Sequence, residues 1–252
     1  MKSVTTRTSG KPILVRRPSM LEVNAIDSFY GQSQVLFNMS LTVKDGEVVT
    51  LMGRNGMGKT TTIRSIMGLT PARQGTIRFK KKDITSQSPY RIARLGIGLV
   101  PEGRLVSPNL SVEENLVATA NAGPGGKGRW DLESIWKMFP KLRERKSSMG
   151  NQISGGEQQM LAIARALMTN PELLLLDEAT EGLAPLIRQE IWRCLRNLKD
   201  EGQSILVIDK NIQALAEIAD RHYIIEKGSV VWEGTSQRLL EDQTAKQQYL
   251  GI

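Results

Sequence analysis

A glycine-rich loop at residues 53–60 constrains the fold of this 252-residue chain more than any other feature of its sequence. The segment GRNGMGKT fits the pattern G-x-x-x-x-G-K-[ST]; it follows the apolar stretch Glu47–Met52 and precedes helical spacing over Lys59–Met67. In that setting, glycines let backbone N–H groups curl around phosphates at a helix N-terminus. The pattern predicts a phosphate-binding loop in which Lys59 contacts the β- and γ-phosphates and the Thr60 hydroxyl binds Mg²⁺.

A second motif is the apolar run Leu173–Leu176 followed by the acids Asp177 and Glu178. The carboxyl ends of parallel strands form the ligand-binding edge of an α/β sheet, so both carboxylates are expected there. Alone, an apolar strand that ends in acids is as often structural as functional. Together with the phosphate loop it predicts that Asp177 holds Mg²⁺, directly or through water, and that Glu178 is the general base toward water.

The alternation of strands and helices in the last third of the chain predicts the fold class. Apolar strands are predicted at Leu173–Leu176, Ile205–Ile208 and Tyr223–Ile225, with amphipathic helices between them at Leu186–Leu198 and Ile212–Ala219. This order is typical of a doubly wound, mainly parallel α/β sheet.

Two other regions have a different character. Near the N-terminus, Leu21–Asp27 and Ser40–Lys44 are predicted strands, and the turn Asp45–Gly46 follows them. From about residue 108 to 168 helical spacing dominates, as in Val112–Ala120 and Leu132–Phe139, and the aromatic residues Trp130, Trp136 and Phe139 lie in this part. The sequence therefore predicts a helical subdomain with its own aromatic packing.

A third motif, ISGGEQQ at residues 153–159, begins one of those helices, which is predicted to run to about Met168. Ser154 is a favourable N-cap and Glu157 completes a capping box, so the segment can be interpreted simply as a capped helix. However, two consecutive glycines at a helix start cost stability. They also leave bare N–H groups facing outward, which suits a phosphate held by another subunit.

With this third segment the sequence resembles the ABC ATPases. ISGGEQQ is similar to the ABC signature motif, with Ile153 where leucine is usual, and the three motifs follow the family's order and spacing over about Leu21–Gly234. The resemblance implies a phosphate-loop NTPase (RecA-like) core with a mainly parallel sheet, an N-terminal antiparallel β part and an inserted helical subdomain at about 108–168. The ATPase domain is expected to cover 19–252.

The resemblance also implies a division of labour between two such domains that face head to tail. Each MgATP is held by one chain's phosphate loop and the other chain's signature segment, and water attacks in line. Adenine is expected to stack on Tyr30, for which a core tyrosine is the alternative interpretation. The implied ATP-binding residues are Tyr30, Gly53, Arg54, Asn55, Gly56, Met57, Gly58, Lys59, Thr60 and Thr61, with Ser154, Gly155, Gly156 and Glu157 in trans.

Three positions depart from the family pattern. Glu102 stands where a glutamine is usual, Ala184 stands where the loop after Glu178 ends in aspartate, and Lys210, after Asp209, stands where a switch histidine is usual. Glu102 is therefore a candidate third metal-site residue, beside Thr60 and Asp177. Lys210 is a candidate catalytic residue with Lys59 and Glu178. A lysine donates only, so we expect it to stabilise γ-phosphate charge but to position water poorly, which slows this site.

Three further segments narrow the resemblance to one subgroup. VPEGR at 100–104, GLAPLI at 182–187 and IADR at 218–221 are similar to the ATPases of binding-protein-dependent importers for branched-chain amino acids. That subgroup implies a heterodimer with a second ABC ATPase (a homodimer is possible), two membrane-spanning permease subunits and, indirectly, a solute-binding protein. The alternatives are a urea or amide importer and an exporter. A nucleic-acid-acting ABC ATPase is disfavoured because the chain has one ATPase unit, no long heptads and one cysteine.

The amino-acid composition alone does not decide which partner this chain binds. The net charge is +8 and the pI about 9.7, but part of the charge lies in a basic arm, 1–18, whose Ser- and Pro-rich composition predicts disorder. No apolar run approaches the roughly 20 residues that span a bilayer. We expect a cytoplasmic protein, peripheral on the inner face of the plasma membrane, with His222 and Cys194 in structural roles.

Overall fold

The computed structural model describes residues 17–126 and 128–251. The predicted disordered arm lies outside the described residues except for Arg17 and Pro18, so it stays a prediction. The strands are β1 (Ser19–Tyr30), β2 (Ser33–Lys44), β3 (Val48–Met52), β4 (Gln74–Phe79), β5 (Lys82–Asp83), β6 (Ile97–Val100), β7 (Leu173–Asp177), β8 (Ser204–Ile208), β9 (Arg221–Glu226) and β10 (Ser229–Gly234).

The helices alternate with these strands and cluster between β6 and β7. They are α1 (Lys59–Ile66), α2 (Pro89–Arg94), α3 (Val112–Val117), α4 (Leu132–Met138), α5 (Pro140–Glu144), α6 (Gly155–Met168), α7 (Pro185–Asp200), α8 (Ile212–Ile218), α9 (Ser236–Glu241) and α10 (Gln243–Ala245). None of the described helices is long and apolar enough to cross a bilayer.

The six-stranded sheet has the order β10-β9-β3-β8-β7-β6, with parallel pairing everywhere except between β9 and β10. Its central strands β3, β8 and β7 are buried over their whole length, as parallel strands covered on both faces must be. The phosphate loop follows β3, and Asp177 ends β7. Both motifs therefore meet at one edge of the sheet, as the sequence predicts.

The second sheet, β2-β1-β4-β5, is antiparallel. The predicted strands Leu21–Asp27 and Ser40–Lys44 are parts of two 12-residue strands that pair with each other. Their alternation is interrupted because Ala25 (φ +47°) and Asn38 (φ +48°) lie in the left-handed region at register shifts. These bulges explain why the sequence pattern covers only part of each strand.

The turn at Asp45–Gly46 links the two sheets rather than closing a hairpin, because β2 and β3 belong to different sheets. Arg221 of β9 fastens this junction. Its guanidinium donates to the Thr42 carbonyl at 2.8 Å and to Glu47 Oε2 at 2.9 Å. Burial lowers the pKa of Arg221, but the hydrogen bonds to Glu47 and Glu233 raise it by more, so the charge is held at the junction.

Trp130, Trp136 and Phe139 of the helical part between β6 and β7 are buried, but they belong to one core with α6, α7 and the sheet residues Leu174 and Val207. Their packing is therefore shared with the sheet rather than the helical part's own. The sequence did not reveal that Asn170, just before β7, holds this part in place. Its Oδ1 accepts from the Trp130 N–H at 2.6 Å, and its Nδ2 donates to the carbonyls of Trp130 (2.9 Å) and Asn121 (2.7 Å).

Candidate nucleotide site

The phosphate loop lies between β3 and α1, and two of its glycines are required by backbone conformation and space. Gly53 has φ +147°, and a Cβ there would collide with the carbonyl oxygen of Ile225; Gly58 has φ +106°, and a Cβ there would lie 2.8 Å from Leu36 Cδ2. Gly56 also has positive φ, but a Cβ there would meet open space. The loop is thus packed against the core at its ends and open in its middle, where a ligand approaches.

Lys59 is 6% exposed at the first turn of α1. Its Nζ donates to the Arg54 carbonyl at 3.1 Å, so the side chain curls back over the loop. Desolvation lowers the pKa of Lys59, and the nearby carboxylates of Glu178 and Asp177 oppose that shift. The ammonium is placed to meet phosphate oxygens above the loop.

Thr60 and Asp177 form the oxygen pair that the sequence predicts for Mg²⁺. Thr60 Oγ1 donates to Asp177 Oδ1 at 3.2 Å, and Asp177 is 3% exposed. Burial raises the pKa of Asp177, the Thr60 hydrogen bond lowers it, and Glu102 raises it further. Hydroxyl and carboxylate oxygens are the donors that Mg²⁺ prefers, so these residues fit the ion.

Glu102 lies on the exposed loop after β6, where it belongs to a second cluster of carboxylate side chains. Carboxylate oxygens of Glu102, Glu178 and Glu181 lie within 4.8 Å of one another. Glu181 was not identified from the sequence. Its only signal is a second acid three residues after Glu178, which a turn brings back toward it (Glu181 N–H to Glu178 O, 3.3 Å).

Lys210 faces this carboxylate group from the loop after β8. Its Nζ lies 3.6 Å from Glu178 Oε2 and is hydrogen-bonded to Glu181. Burial, assisted by the neighbouring Glu181 carboxylate, raises the pKa of Glu178 to about 7. The hydrogen bond to Glu181 raises the pKa of Lys210. A base with a pKa near neutrality beside a permanent cation can both accept a proton and stay correctly placed.

Asp209 fastens the loop that carries Lys210. Its Oδ2 accepts from the Thr180 hydroxyl at 2.6 Å and from the Thr180 N–H at 3.1 Å, while Oδ1 accepts from the Asn211 N–H at 2.9 Å. Asp209 is 7% exposed. Through these hydrogen bonds Asp209 joins the loops after β7 and β8. The sequence did not indicate this connection.

Lys59, Thr60, Glu102, Glu178, Glu181 and Lys210 meet in one cleft of about 480 Å³. Of the residues predicted to bind this chain's own MgATP, Tyr30, Gly53, Arg54, Met57 and Asp177 do not line it. Asp177 contacts the cleft residue Thr60, and Tyr30 is 46% exposed at the end of β1. The cleft is lined by Val35, Asn55, Gly56, Gly58, Lys59, Thr60, Thr61, Glu102, Glu178, Glu181 and Lys210.

The signature segment is elsewhere: none of Ser154–Glu157 lines that cleft. Ser154 caps the 14-residue helix α6 with the predicted capping box, accepting from the Glu157 N–H at 3.3 Å while Glu157 Oε2 accepts from the Ser154 N–H at 2.7 Å. Both glycines have a packing reason that the sequence did not show. A Cβ on Gly155 would collide with the Arg104 guanidinium, and one on Gly156 would lie 2.8 Å from Ile187. Gly156 is therefore buried rather than facing outward.

His222 and Cys194 are both buried. His222 Nδ1 is 2.8 Å from Thr50 Oγ1, and Nε2 is 2.8 Å from Ser236 Oγ. Burial lowers the pKa of His222 to about 4 and raises the pKa of the Cys194 thiol to about 12. Neither residue lines the cleft, in agreement with the predicted structural roles.

A comparison with known protein families shows which family this chain belongs to. The family described as ABC transporter matches residues 36–181, more than half of the chain, including the phosphate loop, Ser154–Glu157 and Glu178. This chain is an ABC transporter ATPase. The family hydrolyses ATP to drive transport, and its ATPases dimerise and work with permease subunits.

The relatives of this ABC ATPase belong to two kinds of transporter, one for amino acids and one for lipopolysaccharide export. It is 39% identical to BraG, a high-affinity branched-chain amino acid transport ATP-binding protein of Pseudomonas aeruginosa, over 92% of this chain and 100% of BraG. It is 35% identical to LptB, the ATP-binding protein of the lipopolysaccharide export system of Escherichia coli, over 88% of this chain and 93% of LptB. The solved ATP-binding subunit of an ABC transporter matches it with a TM-score of 0.78 at 28% identity, over 92% of this chain and 96% of that one. The predicted family and fold class are confirmed.

The departures from the ABC pattern have visible local consequences. Ala184 is the N-cap of α7 and provides no side-chain hydrogen bond there, whereas the usual aspartate is a strong N-cap. Ile153 is 6% exposed and belongs to the core around α6. Lys210 is salt-bridged to Glu178 and Glu181.

Proposed function

We propose that this ABC ATPase hydrolyses MgATP to power an importer of branched-chain or related amino acids. The hydrolytic half of the proposal is carried by one observation: Lys59, Thr60 and Glu178 line one cleft, and the buried Asp177 accepts the Thr60 hydrogen bond there. The solute class is supported by the similarity to BraG over its full length and by the segments VPEGR, GLAPLI and IADR.

In this proposal the phosphate loop and Lys59 bind the β- and γ-phosphates. Thr60 and Asp177 hold Mg²⁺, with Glu102 as a further candidate, and the ion neutralises charge on the phosphates. Glu178 orients the attacking water and takes its proton. Lys210 stabilises charge on the γ-phosphate. Tyr30, which does not line the cleft of the single chain, stacks on adenine.

The second half of each site comes from another subunit. Ser154, Gly155, Gly156 and Glu157 lie apart from this chain's own cleft, which supports their use toward a nucleotide bound by a neighbour. The proposed neighbour is a second, nonidentical ABC ATPase, with a homodimer as the alternative. Because Lys210 replaces the switch histidine and is already engaged by Glu178 and Glu181, this chain's own site is proposed to be the slower one of the pair.

The permease contact is proposed for the loop after β6. Glu102 and Leu105 are exposed there, Leu105 by 66%, and a permease would cover this apolar side chain. We propose that the protein works in the cytoplasm, peripheral on the inner face of the plasma membrane. A solute-binding protein acts on the permeases, and nucleic acid has no part in the function.

A second candidate, export, is favoured by the similarity to LptB. The deciding experiment reconstitutes the chain with the permeases, second ATPase and binding protein that its neighbouring genes encode, as the proposal requires, and measures ATP-dependent uptake of radiolabelled leucine, isoleucine and valine. Uptake that disappears with Lys59→Ala supports the proposal. An assembled transporter that hydrolyses ATP but imports none of these solutes would reject the amino-acid part while leaving the ATPase part intact.

A further inference from the structure

The loop after β6 touches both of the regions that handle nucleotide. Glu102 lines the cleft that contains Lys59 and Glu178. Two residues later, the guanidinium of Arg104 lies against Gly155, where it occupies the space a Cβ would need. The next residue is fixed to the same helix, because Arg165 of α6 donates from Nη1 to the Leu105 carbonyl at 2.5 Å.

Arg104 carries a charge that nothing in residues 17–126 and 128–251 neutralises. Its guanidinium makes no ion pair and no hydrogen bond with those residues, although the side chain is half-buried. The nearest acid on the helix, Glu157, is engaged elsewhere: it accepts from the Ser154 N–H and lies 3.7 Å from Arg145 Nε.

The position of this charge is unfavourable without an anion. The N-terminus of a helix carries a partial positive charge, so a guanidinium beside the first residue of α6 is repelled by it. The two together suit a phosphate, to which an arginine can donate two parallel N–H bonds. The Ser154 hydroxyl, which only accepts in the cap, still has its own hydrogen to donate.

We propose that Arg104 is a further nucleotide-binding residue, which this chain contributes in trans to the γ-phosphate of the ATP held by the neighbouring subunit. The inference rests on the proposed function, because it requires the signature segment to face a neighbour's nucleotide. It extends that function to a residue outside the three motifs, and it couples the loop that contains Glu102 to the occupancy of the second site.

The test separates binding within the chain from closure between chains. In a Glu178→Gln background, which preserves ATP, MgATP binding to the isolated chain is titrated with a fluorescent ATP analogue. MgATP-driven association, with the second ATPase subunit and with itself, is followed by light scattering. Arg104→Ala should leave binding to the isolated chain unchanged and weaken association about ten- to a hundredfold, as expected for a lost charged hydrogen bond.

Three comparisons make the result specific. Arg104→Lys keeps the charge but loses the planar guanidinium that can donate two parallel hydrogen bonds. Its MgATP-driven association should be intermediate between those of the parent and Arg104→Ala. Arg143→Ala removes the same charge from an exposed position on α5 and should associate like the parent. With MgADP, which has no γ-phosphate, the Arg104 variants and the parent should not differ.

Several outcomes would overturn the inference. These are unchanged association of Arg104→Ala, loss of MgATP binding by the isolated Arg104→Ala chain, or a defect that appears only when permeases are present. The Arg104→Lys and Arg104→Ala variants could both have melting temperatures well below that of the parent. If they then weaken association equally in MgADP and in MgATP, the role of Arg104 is purely structural. If the Glu178→Gln parent itself neither binds MgATP nor associates, the proposed function fails first, and the inference with it.

Discussion

The two halves of the proposed nucleotide site differ in how complete they are within one chain. The phosphate-loop half is a cleft with a buried lysine, a buried aspartate and a salt-bridged glutamate. The signature half is a helix tip with an exposed serine, whose partner groups come from its own capping box.

Because of that difference, MgATP binding and closure between subunits can be measured separately. Charged groups that are already desolvated and oriented bind a ligand with little reorganisation. A capped helix tip offers only a few donors, which become useful when a second subunit brings a phosphate to them. The first half should therefore bind MgATP by itself, and the second should matter only for association.

The largest effect is expected at Glu178. Glu178→Gln should lower the rate of hydrolysis by about 10²–10⁴-fold, because the general base is lost, and should leave MgATP binding to the isolated chain intact. Single-turnover phosphate release measures the rate. Glu181→Gln is the matched control in the same cleft and should cost far less. A comparable loss in both variants would contradict the assignment of the base.

The same residue should give hydrolysis a pH dependence. The pKa of Glu178 is raised to about 7, and only the ionised carboxylate accepts a proton from water. Turnover should therefore increase from pH 6 to pH 8 with a midpoint near 7, and the profile of Glu178→Gln should be flat over that range. A flat parent profile would contradict this.

The core beneath the phosphate loop should be sensitive to acid through His222. Its folded pKa is lowered to about 4, so the folded state stays neutral where the unfolded state, with an ordinary pKa near 6.5, gains a proton. The free energy of unfolding should fall as the pH drops from 6.5 to 4, by at most about 3 kcal/mol, and level off below. Urea unfolding at each pH measures it, and His222→Asn should flatten the slope.

The helical part that carries the signature segment should depend on Asn170. Asn170→Ala leaves the Trp130 N–H and two carbonyls without partners, so it should lower the free energy of unfolding by about 2–3 kcal/mol. Association should suffer more than MgATP binding. Asn197→Ala, an exposed change on α7, is the control. Equal unfolding midpoints in urea would show that Asn170 does not hold this part.

A smaller effect is expected at Lys210. Lys210→His should raise turnover at this chain's own site several-fold, up to about tenfold, because a histidine can both donate and accept near neutrality. Lys82→His, on the distant antiparallel sheet, is the control. If Lys59→Ala and Glu178→Gln in this chain each abolish all activity beside an intact partner, the proposed asymmetry between the two sites is wrong.

Much of this architecture could be predicted from the sequence because it depends on local rules. A glycine-rich loop between strand and helix, an apolar strand ending in acids, and a capping box each have a fixed local geometry. The predicted helices and strands of the core were found within a few residues of their expected bounds. The exceptions were β1 and β2, whose bulges at Ala25 and Asn38 interrupt the alternation.

The remainder depends on contacts between distant segments. Arg104 meets Gly155, and Asp209 meets Thr180, only after the sheet is assembled, and no periodicity connects these residues. Glu181 joins the site through a turn that its spacing alone does not distinguish from any other. The helices α2, α5, α9 and α10 are three to six residues long, too short for a helical period to be evident.

The most direct test of the two-subunit nucleotide site compares Ser154→Arg with Ser111→Arg, both in a Glu178→Gln chain. Ser111 caps α3 with the same capping box, so both substitutions remove an equivalent cap, but only Ser154 is assigned to a neighbour's nucleotide. We expect that both variants bind MgATP like the parent and that only Ser154→Arg loses MgATP-driven association with the partner ATPase. If Ser154→Arg associated as well as Ser111→Arg, the two-subunit site would be contradicted.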